Sequence, residues 1–219
     1  AASIGCDAIN YSVGYSVADI EEYPVLLQLE RLISQIATYV RSQGTVVVNS
    51  AGNGRLDMDA ENILSLPTEA DGVFGVAATG PIGFSWGDKQ DDDESKWLTG
   101  DLLEEPTTDP APYTNYGSAV DVSAGGGNYD LEEILSGNFR AYNDLVFSTI
   151  PGGYGWKAGT SMAAPQVAGA VALVRSLRPD ASAEEVESLI QETAAMPDEG
   201  STYHGAGTLD LLNLVKRAE

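Results

Sequence analysis

The chain is poor in the residues that build staples, switches and basic surfaces. It has one cysteine, Cys6, so an intrachain disulfide is excluded. Cys6 falls in Ile4-Gly5-Cys6-Asp7-Ala8-Ile9-Asn10, and residues 6–13 read as a short buried strand, which makes it a small buried hydrophobe rather than a reactive thiol. It has one histidine, His204, so at most one imidazole is available as an acid, base or metal ligand. Lysine occurs four times (Lys89, Lys96, Lys157, Lys216), and 11 basic residues face 33 acidic ones for a net charge of −22. A nucleic-acid partner is therefore not expected, because phosphate contacts need a basic face. No apolar run is long enough to span a bilayer, so no membrane partner is expected, and no charged-then-apolar signal-peptide pattern is visible in the sequence. Ala1 begins inside that sequence, which reads as a cut or processing point.

What the chain has is 219 residues, 43% of them apolar, and 24 glycines, enough for one loop-rich α/β domain with a sizeable core. Pro24 opens a helix carrying Val25, Leu26, Leu29, Leu32, Ile33, Ile36, Tyr39 and Val40 at spacings of three and four. Thr45-Val46-Val47-Val48-Asn49-Ser50 then reads as a buried parallel strand, completing a right-handed βαβ unit. Further strands are expected at Val73–Thr79 and Ala119–Ser123, and a hairpin at 145–158 about Pro151-Gly152-Gly153. Ser182 and Glu185 form a capping box for a helix, and a last helix spans about 210–217. Asp91-Asp92-Asp93-Glu94 reads as a solvated loop. Calcium is possible there, but the spacing lacks the glycine and terminal glutamate of an EF-hand loop.

Gly159-Thr160-Ser161-Met162-Ala163-Ala164-Pro165 is a tight turn running into a helix with almost no charge to Val174. Apolar residues on every side predict a helix buried in the middle of the domain, starting at Ser161. A serine there meets unsatisfied N–H groups and the positive end of the helix dipole, a good place for a nucleophile whose reaction develops an oxyanion. From Gly-Thr-Ser alone, Ser161 reads first as an N-cap. Asn53, in Ser50-Ala51-Gly52-Asn53-Gly54 at a strand's carboxyl end, reads locally as a turn residue, or else as an amide donor to an oxyanion.

Taken together and in order, these segments resemble the subtilisin-like serine proteases. The heptapeptide 159–165 and Val167-Ala168-Gly169 match the family's nucleophile motif, Ser50–Gly54 its oxyanion segment, and Ile9-Asn10-Tyr11-Ser12-Val13-Gly14 its substrate-binding strand. Lesser matches are Val76–Thr79, Asn115–Gly117, Val120–Ala124 and Gly205–Asp210. The resemblance implies a three-layer α/β fold with a mostly parallel central sheet and helices on both faces. It implies Ser161 as nucleophile, Asn53 as oxyanion donor, Ser12, Val13 and Gly14 pairing with substrate backbone, and Ala51 and Gly52 lining a pocket. It also implies a polypeptide substrate, a secreted protein, and no cofactor for the chemistry, with structural calcium possible. Gln166 departs from the family, which often has histidine there.

The larger departure is the absence of the family's upstream aspartate and histidine motifs. His204 lies in Tyr203-His204-Gly205-Ala206-Gly207, a structural turn in the family, and reads as a surface or packing residue. Residues 1–219 thus resemble a single catalytic domain lacking its Asp and His segments. The chain is expected to be inactive alone and to work with an N-terminal segment of the same protease, on the same or a separate chain. Two other readings are a pseudoprotease kept for binding, and an acidic calcium-binding extracellular module. The acidic, lysine-poor composition also fits a halophilic source.

Overall fold

A computed structural model describes residues 1–80, 109–128, 135, 144–196 and 202–219. The centre is a parallel sheet of four strands, β1 (Ala8–Tyr11), β3 (Val46–Ser50), β5 (Val73–Thr79) and β6 (Val122–Gly125), in the order β1-β3-β5-β6. Helix α1 (Pro24–Ser42) makes the crossover from β1 to β3, so the βαβ unit expected from the hydrophobic spacing is present. Two antiparallel ribbons flank the sheet: β2 (Tyr15–Ala18) with β4 (Ile63–Leu66), and β7 (Val146–Ile150) with β8 (Gly153–Lys157). Helices α2 (Thr160–Leu177), α3 (Ala183–Thr193) and α4 (Leu211–Ala218) follow.

Alternation along the strands divides the helices between the faces. Val46, Val48, Phe74, Val76, Ala78, Val122 and Ala124 join one buried cluster with α2, α3 and α4. Ala37 of α1 is buried outside that cluster, so α1 covers the other face. The expected capping box is made in full: Ser182 Oγ accepts from the Glu185 N–H at 3.1 Å, and Glu185 Oε2 from the Ser182 N–H at 2.7 Å. Asp210 caps α4 by accepting from the Asn213 N–H at 2.9 Å.

Several elements differ from their sequence reading. The first strand is Ala8–Tyr11, shorter than 6–13, and half-buried Cys6 lies just before it. The strand expected at Ala119–Ser123 runs Val122–Gly125 instead. Neither strand of the β2/β4 ribbon was anticipated. Helix α2 starts one residue earlier than Ser161, with Gly159 as N-cap, and its burial is one-sided. Ala163, Ala164, Val167, Ala170, Val171 and Val174 face the sheet, whereas Gln166, Gly169, Ala172 and Leu173 are exposed. The acidic stretch 91–94 lies outside the described residues. Among the described residues no helix is long and apolar enough to cross a membrane, and no group of three His, Cys, Asp or Glu could hold a metal.

The two outer edges of the sheet differ. β6 is covered by the segment that bridges Val122 to Gly205 and Ser123 to Thr208. The outer edge of β1 has no strand beside it among the described residues.

Candidate active site

Ser161, Asn53, Ser12, Val13, Gly14, Ala51 and Gly52 all line one crevice of about 530 Å³ at the carboxyl ends of β1 and β3. Every sequence-predicted site residue is therefore brought together, although they are drawn from three segments up to 149 residues apart. A larger hollow of about 910 Å³, between the end of α2 and α3, holds none of them.

Backbone requirements explain how these segments meet. β1 and β3 are parallel neighbours, so the chain beyond each emerges on the same side. Gly159 has φ +145°, a region that L side chains rarely adopt, and this bend turns the chain from β8 into α2. Gly52, with φ +103°, has the Asn115 amide where a Cβ would stand, 2.5 Å away. A side chain at Gly52 would push its loop away from Asn115, and one at Gly159 would strain the bend itself.

The side chain of Asn53 is held in a defined orientation. Its Oδ1 accepts from the Thr160 N–H and from the Thr160 hydroxyl, both at 2.9 Å. The amide Nδ2 is left as the outward donor; the hydrogen-bond network fixes this assignment. Thr160 Oγ1 in turn accepts from the Gly52 N–H at 3.1 Å, tying the 50–54 loop to the start of α2. Ser161 is the second residue of α2, where the N–H has no intrahelical acceptor. Its Oγ makes only a long 3.5 Å contact with the Ser12 carbonyl, and Ser12 Oγ donates to the Ser161 carbonyl at 3.3 Å. The arrangement brings a weakly held hydroxyl, an amide donor and a backbone donor to one crevice.

Two contributors were not singled out from the sequence. Thr160 fixes the Asn53 amide. Asn115 Oδ1 accepts from the N–H groups of Gly54 and Leu56, at 2.9 and 3.0 Å, while its Nδ2 donates to the Ala51 carbonyl at 2.9 Å. Fully buried Asn115 thereby shapes the whole 51–56 loop. The Gln166 amide donates to the Gly125 carbonyl, joining α2 to the end of β6 where the family often has histidine.

His204 lies elsewhere. It is buried, with Nδ1 2.8 Å from Ser123 Oγ, and it does not line the crevice. Burial pushes its pKa below the ordinary histidine value, which keeps it neutral at pH 7. It is a packing residue under the 204–208 turn.

The sequence model of the Subtilase family matches residues 1–210. An extracellular protease of Xanthomonas campestris pv. campestris is 36% identical over 174 residues, covering 77% of this chain and 23% of that protein. Subtilisin DY of Bacillus licheniformis is 26% identical over 208 residues, covering 94% of this chain and 56% of its own length. Among solved structures, a lanthipeptide protease superposes with a TM-score of 0.73 at 24% identity, covering all of this chain and 63% of that one. A protease from Pseudoalteromonas arctica gives 0.65 at 30% identity, covering 97% and 51%. The chain thus spans less than two thirds of the length of these relatives. With its central parallel sheet, its glycine-turned serine at the head of α2 and this match over nearly its whole length, the chain belongs to the subtilase family.

Proposed function

We propose that this chain carries the nucleophile and oxyanion machinery of a serine endopeptidase that acts outside the cell. The observation that carries the reading is the Asn53–Thr160 contact, which aims an amide donor across the crevice beside Ser161. Ser161 Oγ adds to the scissile carbonyl carbon while its proton passes to a general base. The carbonyl oxygen becomes an oxyanion, which accepts hydrogen bonds from Asn53 Nδ2 and the Ser161 N–H. Collapse expels the amine, which takes the proton back from the base, and water repeats the sequence to release the acid. Ser12 to Gly14 hold the substrate backbone as an added strand. The extracellular setting is supported by relatives that carry that word in their names.

The base comes from a segment outside these residues, because the one histidine is buried under another part of the fold. Three features favour that segment docking beside β1. The outer edge of β1 is open among the described residues. Val25, Leu32, Ile36 and Tyr39 make an exposed apolar stripe on α1. Gly169, Ala172 and Leu173 expose small and apolar surface on α2. A parallel sheet is ordinarily covered on both faces, so this open side fits a further strand and helix.

A fluorophosphonate should label Ser161 in the form that includes the base-bearing segment, and this chain alone should not turn over peptide. Ser161→Ala should abolish labelling and nearly all turnover. Asn53→Ala should lower kcat by roughly two to three orders of magnitude with KM little changed. Absence of turnover in every form, with the segment present, would leave a binding scaffold instead of a protease.

A further inference from the structure

The substrate crevice carries a hydroxyl pair whose hydrogen-bonding capacity is not used up within the protein. Ser16 on β2 and Ser65 on β4 are cross-strand partners, both line the crevice, and their hydroxyl oxygens are 2.7 Å apart. Asn115 sets the polarity next to them. Its Oδ1 is committed to two backbone N–H groups, so the atom 3.3 Å from Ser16 Oγ is the donor Nδ2. The pair holds two protons and four lone pairs. One proton and one lone pair make the mutual bond, and one lone pair receives Asn115. One proton and two lone pairs remain.

Two neighbouring hydroxyls are already engaged. Thr68 Oγ1 donates to the Ser50 carbonyl at 3.0 Å and accepts from Asn49 Nδ2 at 2.8 Å. Thr160 Oγ1 is taken by Asn53 and Gly52. None of the described residues lining the crevice is charged; the rest of the wall comes from apolar side chains and glycines together with Ser12, Tyr15, Ser50, Asn53 and Ser161.

We propose that the Ser16–Ser65 pair is a specificity determinant that selects a glutamine side chain on the acyl side of the scissile bond. This rests on the crevice being the peptide site of the proposed protease. A carboxamide, without bringing a charge, accepts the one remaining proton and offers two N–H donors to the two remaining lone pairs. Leucine or methionine would cover these polar atoms without replacing their water contacts. Glutamate would bring a charge to one donor, and lysine a charge with no carboxylate to meet it.

The test is calorimetric titration of the protein with five acetylated peptides of one sequence, ending in Gln, Leu, Met, Glu or Lys. These resemble the acyl-side product and bind without any catalytic step. The Gln peptide should bind about tenfold tighter than the Leu peptide, and Ser65→Ala should bring the two within about threefold, mainly by weakening Gln. Ser16→Ala should do the same, with circular dichroism confirming that each variant is folded. Equal or tighter binding of the Leu peptide to the unaltered protein, or an unchanged Gln preference in both variants, overturns the assignment. If no peptide binds yet the base-complemented form turns over substrate, the assignment falls and the protease reading stands. A Gln preference without turnover in any form leaves the pocket assignment standing and removes the protease reading.

Discussion

Thr160 shows how one side chain can fix the orientation of another, the Asn53 amide proposed to meet the oxyanion. Its hydroxyl and its N–H both hold Asn53 Oδ1, and its oxygen also takes the Gly52 N–H. Thr160→Val keeps the shape and the N–H but removes the hydroxyl, so the Asn53 amide loses one of two anchors. Its transition-state donor then spends less time in position. In the base-complemented enzyme kcat should fall about tenfold with KM within about twofold, and Thr160→Ser should restore it. A larger rise in KM than fall in kcat would show that Thr160 serves substrate binding instead. Ser161 and Asn53 were legible because each sits in a short local motif. Thr160 stands in that same motif, yet its role was not, since its partner is 107 residues away. Asn115 was equally hidden, read only as part of a turn. A side chain that satisfies backbone groups of a distant loop leaves no periodicity and no run of letters.

At the scale of elements, the buried pieces were the legible ones. β3 and β5 carry nearly continuous apolar runs, and α3 announces its own start with Ser182 and Glu185. The β2/β4 ribbon was invisible because Tyr15-Ser16-Val17-Ala18 is mostly exposed and alternates no clear apolar face. Helix α1 exposes a limit of the spacing rule itself. Its apolar residues fill two stripes, and one sequence pattern cannot say which stripe faces the sheet. The buried face is built around Ser34 and Ala37, while Leu32, Ile36 and Tyr39 point outward. That outward stripe is where the base-bearing segment is proposed to pack. Leu32→Asp with Ile36→Asp should change the stability of this chain by no more than about 0.5 kcal/mol per site, as expected for exposed positions. The same pair should weaken complementation by the upstream segment at least about tenfold, read as recovered turnover against segment concentration. Unchanged complementation would place the docking surface elsewhere.

For the molecule as a whole, charge sets the conditions of stability. Thirty-three acidic residues against 11 basic ones repel each other in the compact state, and lowering pH or adding salt relieves that repulsion. A second contribution comes from buried carboxyls and does not depend on salt in the same way. Asp121 is pushed up to about 6, mainly by burial, although the Gly75 N–H and the Gln191 amide donate to it and Arg41 is nearby. Glu187, packed against Arg41, and Glu69, which accepts from the Ser65 N–H, are also raised by burial. A raised carboxyl pKa means that the folded state holds the proton more tightly than the unfolded one. The stability it contributes is therefore lost as pH rises from about 3.8 toward 6 for Asp121. His204 acts in the opposite sense, since its lowered pKa makes stability fall as pH drops below about 6.5. The acidic groups outnumber it, so in dilute buffer the protein should melt at a higher temperature at pH 5.5 than at pH 7.5. In about 1 M sodium chloride, where screening reaches within about 3 Å, the self-repulsion part of that difference should vanish and the buried-carboxyl part should remain. Asp121→Asn should then remove most of what is left, measured by scanning calorimetry at the two pH values. A difference that disappears entirely in salt would assign the pH dependence to surface repulsion alone, and one insensitive to salt would assign it to the buried carboxyls around α1, α3 and β6.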